Sequence, residues 1–256
     1  MSLPQSPAPS DPPPCAPWKF WGTCAWTAAT IAVWVAVQFI IFVAVLVYVD
    51  VGDDASAAEI EKLGSHAIVV SLIAILAAPA EIGVVALAIR LARCRFGEYL
   101  AFVRPSRKFV LIGLACLVVL MPLADLSTWI SGRGIIPPFV IEAYRSARDS
   151  GTVWLLAIAL AIAAPLTEEI VFRGFMYRGL AASRVGDAGA ILIPSAIWAG
   201  MHVQYEMFFI LQIFLLGIVF GALRWKSGSI WLTIGLHAIV NLGSLLQTAY
   251  VVGKGP

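Results

Sequence analysis

Seven apolar runs can be drawn along this 256-residue chain, at 24–48, 67–91, 109–130, 152–180, 188–204, 207–223 and 229–250. Most of them reach the ~20 residues that an apolar helix needs to cross a bilayer. Hydrocarbon offers the backbone no water, so such runs fold as helices that make their own hydrogen bonds. With 61% hydrophobic and 12% charged residues and a mean hydropathy of +0.91, the chain lies outside the range of soluble domains. The expected fold is all-α, a polytopic transmembrane helical bundle of about seven spans. No solenoid repeat and no long linker divides it. Residues 1–17 form a Pro-rich tail, expected to be disordered and cytoplasmic. Residues 18–149 supply N-terminal transmembrane helices, and 150–250 the helical core that carries the polar chemistry.

The formal net charge of +2 is too small to suggest a nucleic-acid partner, but its distribution is informative. Arg90, Arg93, Arg95, Arg104, Arg107 and Lys108 crowd between the second and third runs, whereas Asp50, Asp53, Asp54, Glu59 and Glu61 follow the first. By the positive-inside rule the 90–108 loop and the N-terminus are cytoplasmic, in a cell membrane, with Arg178, Arg184, Arg224 and Lys226 on the same side. Seven spans put the C-terminus outside. The cysteines, Cys15, Cys24, Cys94 and Cys116, form no CxxC pair and suggest neither a disulfide nor a thiolate metal site.

Charges within hydrocarbon are costly and presumptively functional. The first half carries Glu81 and Asp125, and the second carries Glu168, Glu169 and Arg173 directly after the run that begins near 152. On an α-helix Glu168 and Glu169 point about 100° apart, so their roles differ. Glu169 and Arg173 stand at i and i+4 with the acid first, the favourable order for an ion pair. Glu168 is then the freer carboxylate, available to take a proton from water. Two later runs add His202, four residues after Trp198, and the i, i+4 pair His237 and Asn241. Taken singly, a helix-end charge cluster, an interfacial histidine and a His/Asn pair bonding across helices are ordinary structural devices. Together they place Glu, Glu, Arg, His, His and Asn on three spans.

Glu168-Glu169-Ile-Val-Phe-Arg173, Trp198-Ala-Gly-Met-His202 and His237-Ala-Ile-Val-Asn241, in that order, resemble the EExxxR, FxxxH and HxxxN motifs of the CPBP family of intramembrane proteases. That family includes the CAAX prenyl endopeptidases of the Rce1 type and the bacterial Abi proteins. The resemblance covers about 150–245, and Trp198 stands where the family usually has phenylalanine. It implies an intramembrane endopeptidase of the CAAX type. Glu168 would activate water, His202 and His237 would be its polar partners or metal ligands, Asn241 would donate to the oxyanion, and Glu169 and Arg173 would organise the site. The implied substrate is a membrane-embedded or lipidated peptide or protein within the lipid bilayer.

Hydrolysis needs an activated water, a stabilised oxyanion and a proton for the leaving amine. Glu168, His202 and His237 make a ligand set suited to Zn2+ or another divalent metal, with a position open for water. Without a metal, Glu168 alone serves as base, and both alternatives stand at this point. The depths of Glu168, His202 and His237 along their helices agree only if helices tilt, the fifth run begins late as a helix, or the bundle surrounds a wet, cone-shaped intramembrane cavity, which is expected to open to the cytoplasm. Two other functions stand beside this one: an ion- or proton-coupled transporter using Glu81, Asp125, Glu168 and the histidines, and, within the resemblance, a non-catalytic immunity or scaffold protein of the same fold.

Overall fold

The computed structural model describes residues 15–49, 56, 60 and 63–254. Most of the proline-rich tail and the acidic residues Asp50, Asp53, Asp54, Glu59 and Glu61 lie outside the described residues. The helices are α1 (Phe20–Val49), α2 (Ala67–Leu91), α3 (Arg107–Ile130), α4 (Pro138–Asp149), α5 (Val153–Ala181), α6 (Gly186–Gly200), α7 (Met207–Ser227) and α8 (Ile230–Gly253), with a short helical turn at Phe96–Leu100. Among the described residues there are no strands, as expected for apolar runs that must satisfy their own backbone groups. Ser106 and Ser229 mark two starts, their hydroxyls accepting from Phe109 N and Leu232 N, which satisfies first-turn donors.

Among the described residues six helices, α1, α2, α3, α5, α7 and α8, are long and apolar enough to cross a membrane, so the chain is a multi-pass integral membrane protein. The expected seventh span, 188–204, is α6, a helix of 15 residues. At 1.5 Å per residue it covers about 22 Å, less than a full bilayer core. It stops at Gly200 because the sequence turns polar, and His202 lies in the loop beyond its Met201 cap. The segment 131–150, which reads as a loop by hydropathy, contains the amphipathic helix α4. Pro138 opens α4, Ala143 and Ala147 are buried, and its Ser146 hydroxyl accepts from Ala67 N at 3.2 Å.

The principal core surrounds the second half of α5. Ile170, Val171, Phe172, Phe175, Met176 and Leu180 pack against Val85, Ala88 and Ile89 of α2, Tyr99 and Leu100 of the short turn, Trp198 of α6 and Ile230 of α8. Large apolar side chains such as Phe39, Leu111, Val118 and Leu246 are exposed, the arrangement of a bundle whose outer solvent is lipid. Gly217 lets α7 approach α6, because a Cβ there would come within 2.9 Å of Ser195 Cβ and 3.2 Å of the Trp198 ring.

The cysteines correct one expectation. Cys15 and Cys94, 79 residues apart, form a disulfide, while Cys24 and Cys116 are free. The chain before α1 folds back onto the end of α2, where the Trp18 indole N–H donates to the Ala88 carbonyl at 2.9 Å. Spacing alone does not show such a return.

Candidate active site

The site is built on α5, which departs from α-helical geometry in two places. Ala159–Ala163 and Glu169–Met176 are π-helical, wider turns that recur at functional positions. Each contains a carbonyl that receives a side-chain donor from a neighbouring helix. Asn241 Nδ2 of α8 donates to Leu160 O at 2.7 Å, and Arg224 Nε of α7 donates to Arg173 O at 3.1 Å. The local helix form is thus secured by side chains from distant sequence, since a buried carbonyl needs a partner. Arg224, expected among the cytoplasmic loop charges, is instead buried in the last turn of α7, its guanidinium 5.1 Å from the Tyr177 ring.

The two adjacent acids have different surroundings. Glu169 is fully buried, and its Oε1 takes Arg173 Nη1 and His237 Nδ1, each at 3.0 Å. Its Oε2 has no partner at bonding geometry; the Thr233 hydroxyl is a polar neighbour but donates to Ile230 O at 3.1 Å. Arg173 is equally buried, reaches Gly217 O at 3.4 Å and lies 4.3 Å over the Trp198 ring, a favourable cation–π placement. Glu168 keeps 28% of its side chain exposed, into the cavity, with its Oε2 at 3.8 Å from His237 Nε2. That oxygen also accepts a short hydrogen bond from the Trp198 indole N–H.

The imidazoles are oriented by their Nδ1 atoms. His237 Nδ1 donates to the Glu169 carboxylate, which leaves Nε2 toward Glu168. His202 Nδ1 donates to the Trp198 carbonyl at 2.8 Å, so its Nε2 is the acceptor nitrogen of the neutral ring. Tyr205 stacks on His202 with ring centroids 5.9 Å apart, and burial pushes its phenol up to about 12, which keeps it a neutral donor. The structure therefore brings Glu168, Glu169, Arg173, His202 and His237 together around Trp198, and Asn241 lines the same cavity. Trp198 emerges as the hub of the site. In the sequence its signals were its place four residues before His202 and at the aromatic position of the FxxxH-like motif. Tyr205 and Gly217 carried no signal.

Glu168 Oε2 and His237 Nε2 lie 3.8 Å apart, and His202, held through Nδ1 by a backbone carbonyl, presents Nε2 as its open nitrogen. Among the described residues no group of three His, Cys, Asp or Glu side chains is placed to hold an ion. The set Glu168, His202 and His237 is thus not gathered as a ligand group among the described residues.

The cavity has a volume of about 990 Å³. Its floor is at Phe172, Val219 and His237, and its walls rise past Asn241, Gln212 and Thr128 to Gly64, Ile135, Phe139, Val203 and Gln204. Ile135 and Val203 are exposed. The opposite end is closed by buried Leu100, Arg173, Phe175, Arg224 and Ile230. The basic loop 90–108 joins the helix ends on the closed side. The expectation that the cavity opens on the face of that loop is thus corrected: it opens on the opposite face, because the short α6 leaves room there and the Arg173/Arg224 layer fills the other end.

Residues 150–243 match the family model for type II CAAX prenyl endopeptidase Rce1-like proteins. An Escherichia coli protein described as "Uncharacterized 24.3 kDa protein" is 29% identical over 132 residues, which are 49% of this chain and 60% of that protein. The match thus spans less than two thirds of that relative's length. No solved structure matches the chain. The segment 150–243, which holds all six motif residues of this multi-pass membrane protein, is similar to the type II CAAX prenyl endopeptidases of the Rce1 type.

Proposed function

We propose that this protein is an intramembrane endopeptidase that hydrolyses a peptide bond of a membrane-associated protein with a water activated by Glu168. The observation that carries this reading is the pairing of one carboxylate that faces the cavity, Glu168, with an imidazole, His237, oriented by a second, fully buried carboxylate, Glu169. A buried acid that fixes the tautomer and orientation of a histidine is a recurrent hydrolytic arrangement. Glu168 accepts a proton from the attacking water, and His202 Nε2 accepts that water's second hydrogen bond. The proton passes through Glu168 or His237 Nε2 to the leaving amine. The Asn241 amide has a second N–H beyond the one committed to Leu160, and with the Tyr205 hydroxyl it supports the oxyanion. Trp198 holds Glu168 in one rotamer, which favours reaction by preorganisation.

The reading is tested by incubating purified protein in lipid nanodiscs with a panel of membrane-protein segments and identifying new termini by mass spectrometry. Specific cleavage is expected from the parent and none from Glu168→Ala or His237→Ala. Equal cleavage by the variants and the parent sinks the assignment. Metal content measured on the same samples checks the base assignment, since turnover that tracks bound metal contradicts it.

The orientation of the chain is part of the same reading. With the basic loop cytoplasmic by the positive-inside rule, the cavity opens on the outer face. A cysteine at Val203, in a background without the native cysteines, is expected to react in intact cells with an impermeant maleimide, and one at Ser106 only after lysis. The reverse pattern contradicts this orientation.

A further inference from the structure

Resting on the hydrolase reading, we infer that the cavity holds its substrate as an extended chain laid along α8, with the side-chain carbonyl oxygens of Gln212 and Gln247 accepting hydrogen bonds from the substrate's backbone N–H groups. His237, Asn241, Ser244 and Gln247 succeed one another at spacings of four, three and three residues, the period of one helix face, and all four line the cavity. This polar stripe climbs α8 from the site toward the mouth. From His237 to Gln247 it rises about 15 Å, the length of about four or five residues of extended chain. Gln212 lines the same cavity from α7, and the volume of about 990 Å³, at the large end for small-ligand sites, has room for such a segment.

The hydrogen bonds fix which end of each carboxamide is free. Gln212 Nε2 reaches the Ala124 carbonyl at 3.2 Å and the Ser127 and Thr128 hydroxyls at 3.0 Å each. Both hydroxyls already donate to Ala124 O, at 2.8 Å, so every group at this spot is an acceptor and only the N–H end of the amide fits. Gln247 Nε2 donates to the Asp125 carboxylate at 2.9 Å, and again the oxygen is left over. Neither Gln212 Oε1 nor Gln247 Oε1 has a hydrogen-bond partner among the described residues. Both ties run to α3, and an interhelical tie of this kind needs only the N–H end. The free oxygens have no part in it. A peptide that displaces water from a membrane-embedded cavity brings one N–H per residue, for which hydrocarbon offers no partner. Acceptors are therefore what a site for an extended chain must supply. Because they read the backbone, the track takes apolar segments of differing side-chain shape.

Two fluorescent, apolar Leu/Ala decapeptides test this, one all-amide and one with ester bonds in place of alternate central amides, which removes those N–H donors and keeps the extended trans backbone. Binding is measured by anisotropy to the full chain carrying Glu168→Gln, which spares both peptides from hydrolysis, in phosphatidylcholine nanodiscs, with empty nanodiscs as the partition control. The all-amide peptide is expected to bind at least about tenfold more tightly than the ester peptide, and Gln212→Met and Gln247→Met, each made singly so that one tie to α3 stays, are each expected to shrink that ratio to about threefold or less. Equal or tighter binding of the ester peptide overturns the inference without recourse to the variants and leaves Glu168-dependent cleavage untouched, and so does an amide preference that survives in both variants. Absence of binding by both peptides overturns it as well, while the segment panel decides the hydrolase reading separately.

Discussion

Glu168→Gln is expected to lower kcat for peptide cleavage by about a thousandfold, within the range assigned to a positioned general base, with little change in thermal stability. The amide keeps the size of the side chain and leaves its carbonyl oxygen to accept from Trp198, but it cannot take a proton from water. Glu168 is the partly exposed acid of the pair, so its charge is not needed to neutralise a buried cation. Stopped turnover with an unchanged melting temperature separates a catalytic carboxylate from a structural one. If turnover falls only in step with the amount of folded protein, Glu168 is a packing residue.

Arg173→Met has a large expected effect of the opposite kind. It strands Glu169, which is fully buried, and leaves that carboxylate with His237 as its single close partner. Removing one member of a buried ion pair costs about 3–5 kcal/mol, which for a chain of this size corresponds to about 10 °C in Tm. The substitution also removes the cation from the Trp198 ring and the donor from Gly217 O. The double variant Glu169→Gln/Arg173→Met removes both charges and is expected to recover more than half of the loss, because the penalty lies in the uncompensated carboxylate rather than in the absent attraction. Thermal unfolding in detergent, followed by intrinsic fluorescence, measures both. A single variant within 1 °C of the parent means that the buried pair contributes nothing to stability.

The chemistry of this chain was more legible than its geometry. Charged and polar residues in apolar runs stand out against their cost, so Glu168, Glu169, Arg173, His202, His237 and Asn241 could be named as candidates without coordinates, and the i, i+4 spacing of Glu169 and Arg173 survived as a 3.0 Å ion pair. Hydropathy finds apolar runs but not where a helix stops inside one. For that reason α6 read as a span although Gly200 ends it, and His202 moved from a helix face to a loop. The amphipathic α4 was hidden because alternating charges and alanines average to a loop. The π-turns of α5 depend on Asn241 and Arg224 arriving from other helices, and the Cys15–Cys94 bond depends on the chain folding back. Neither leaves a periodic trace. The direction in which the cavity opens was misread for a related reason, since rise per residue gives depth but not which end the buried Arg173 and Arg224 side chains fill.

The central claim is that Glu168 activates water for direct attack on a peptide bond. Once the panel yields a cleaved segment, a single turnover in H2(18)O followed by intact-mass analysis of product and protein tests it most directly. The account predicts one 18O atom in the new product carboxylate, no covalent adduct on the protein at any quench time, and neither product nor label with Glu168→Gln. An acyl-protein adduct that forms before the product, or labelled product released at the parent rate by Glu168→Gln, would contradict it.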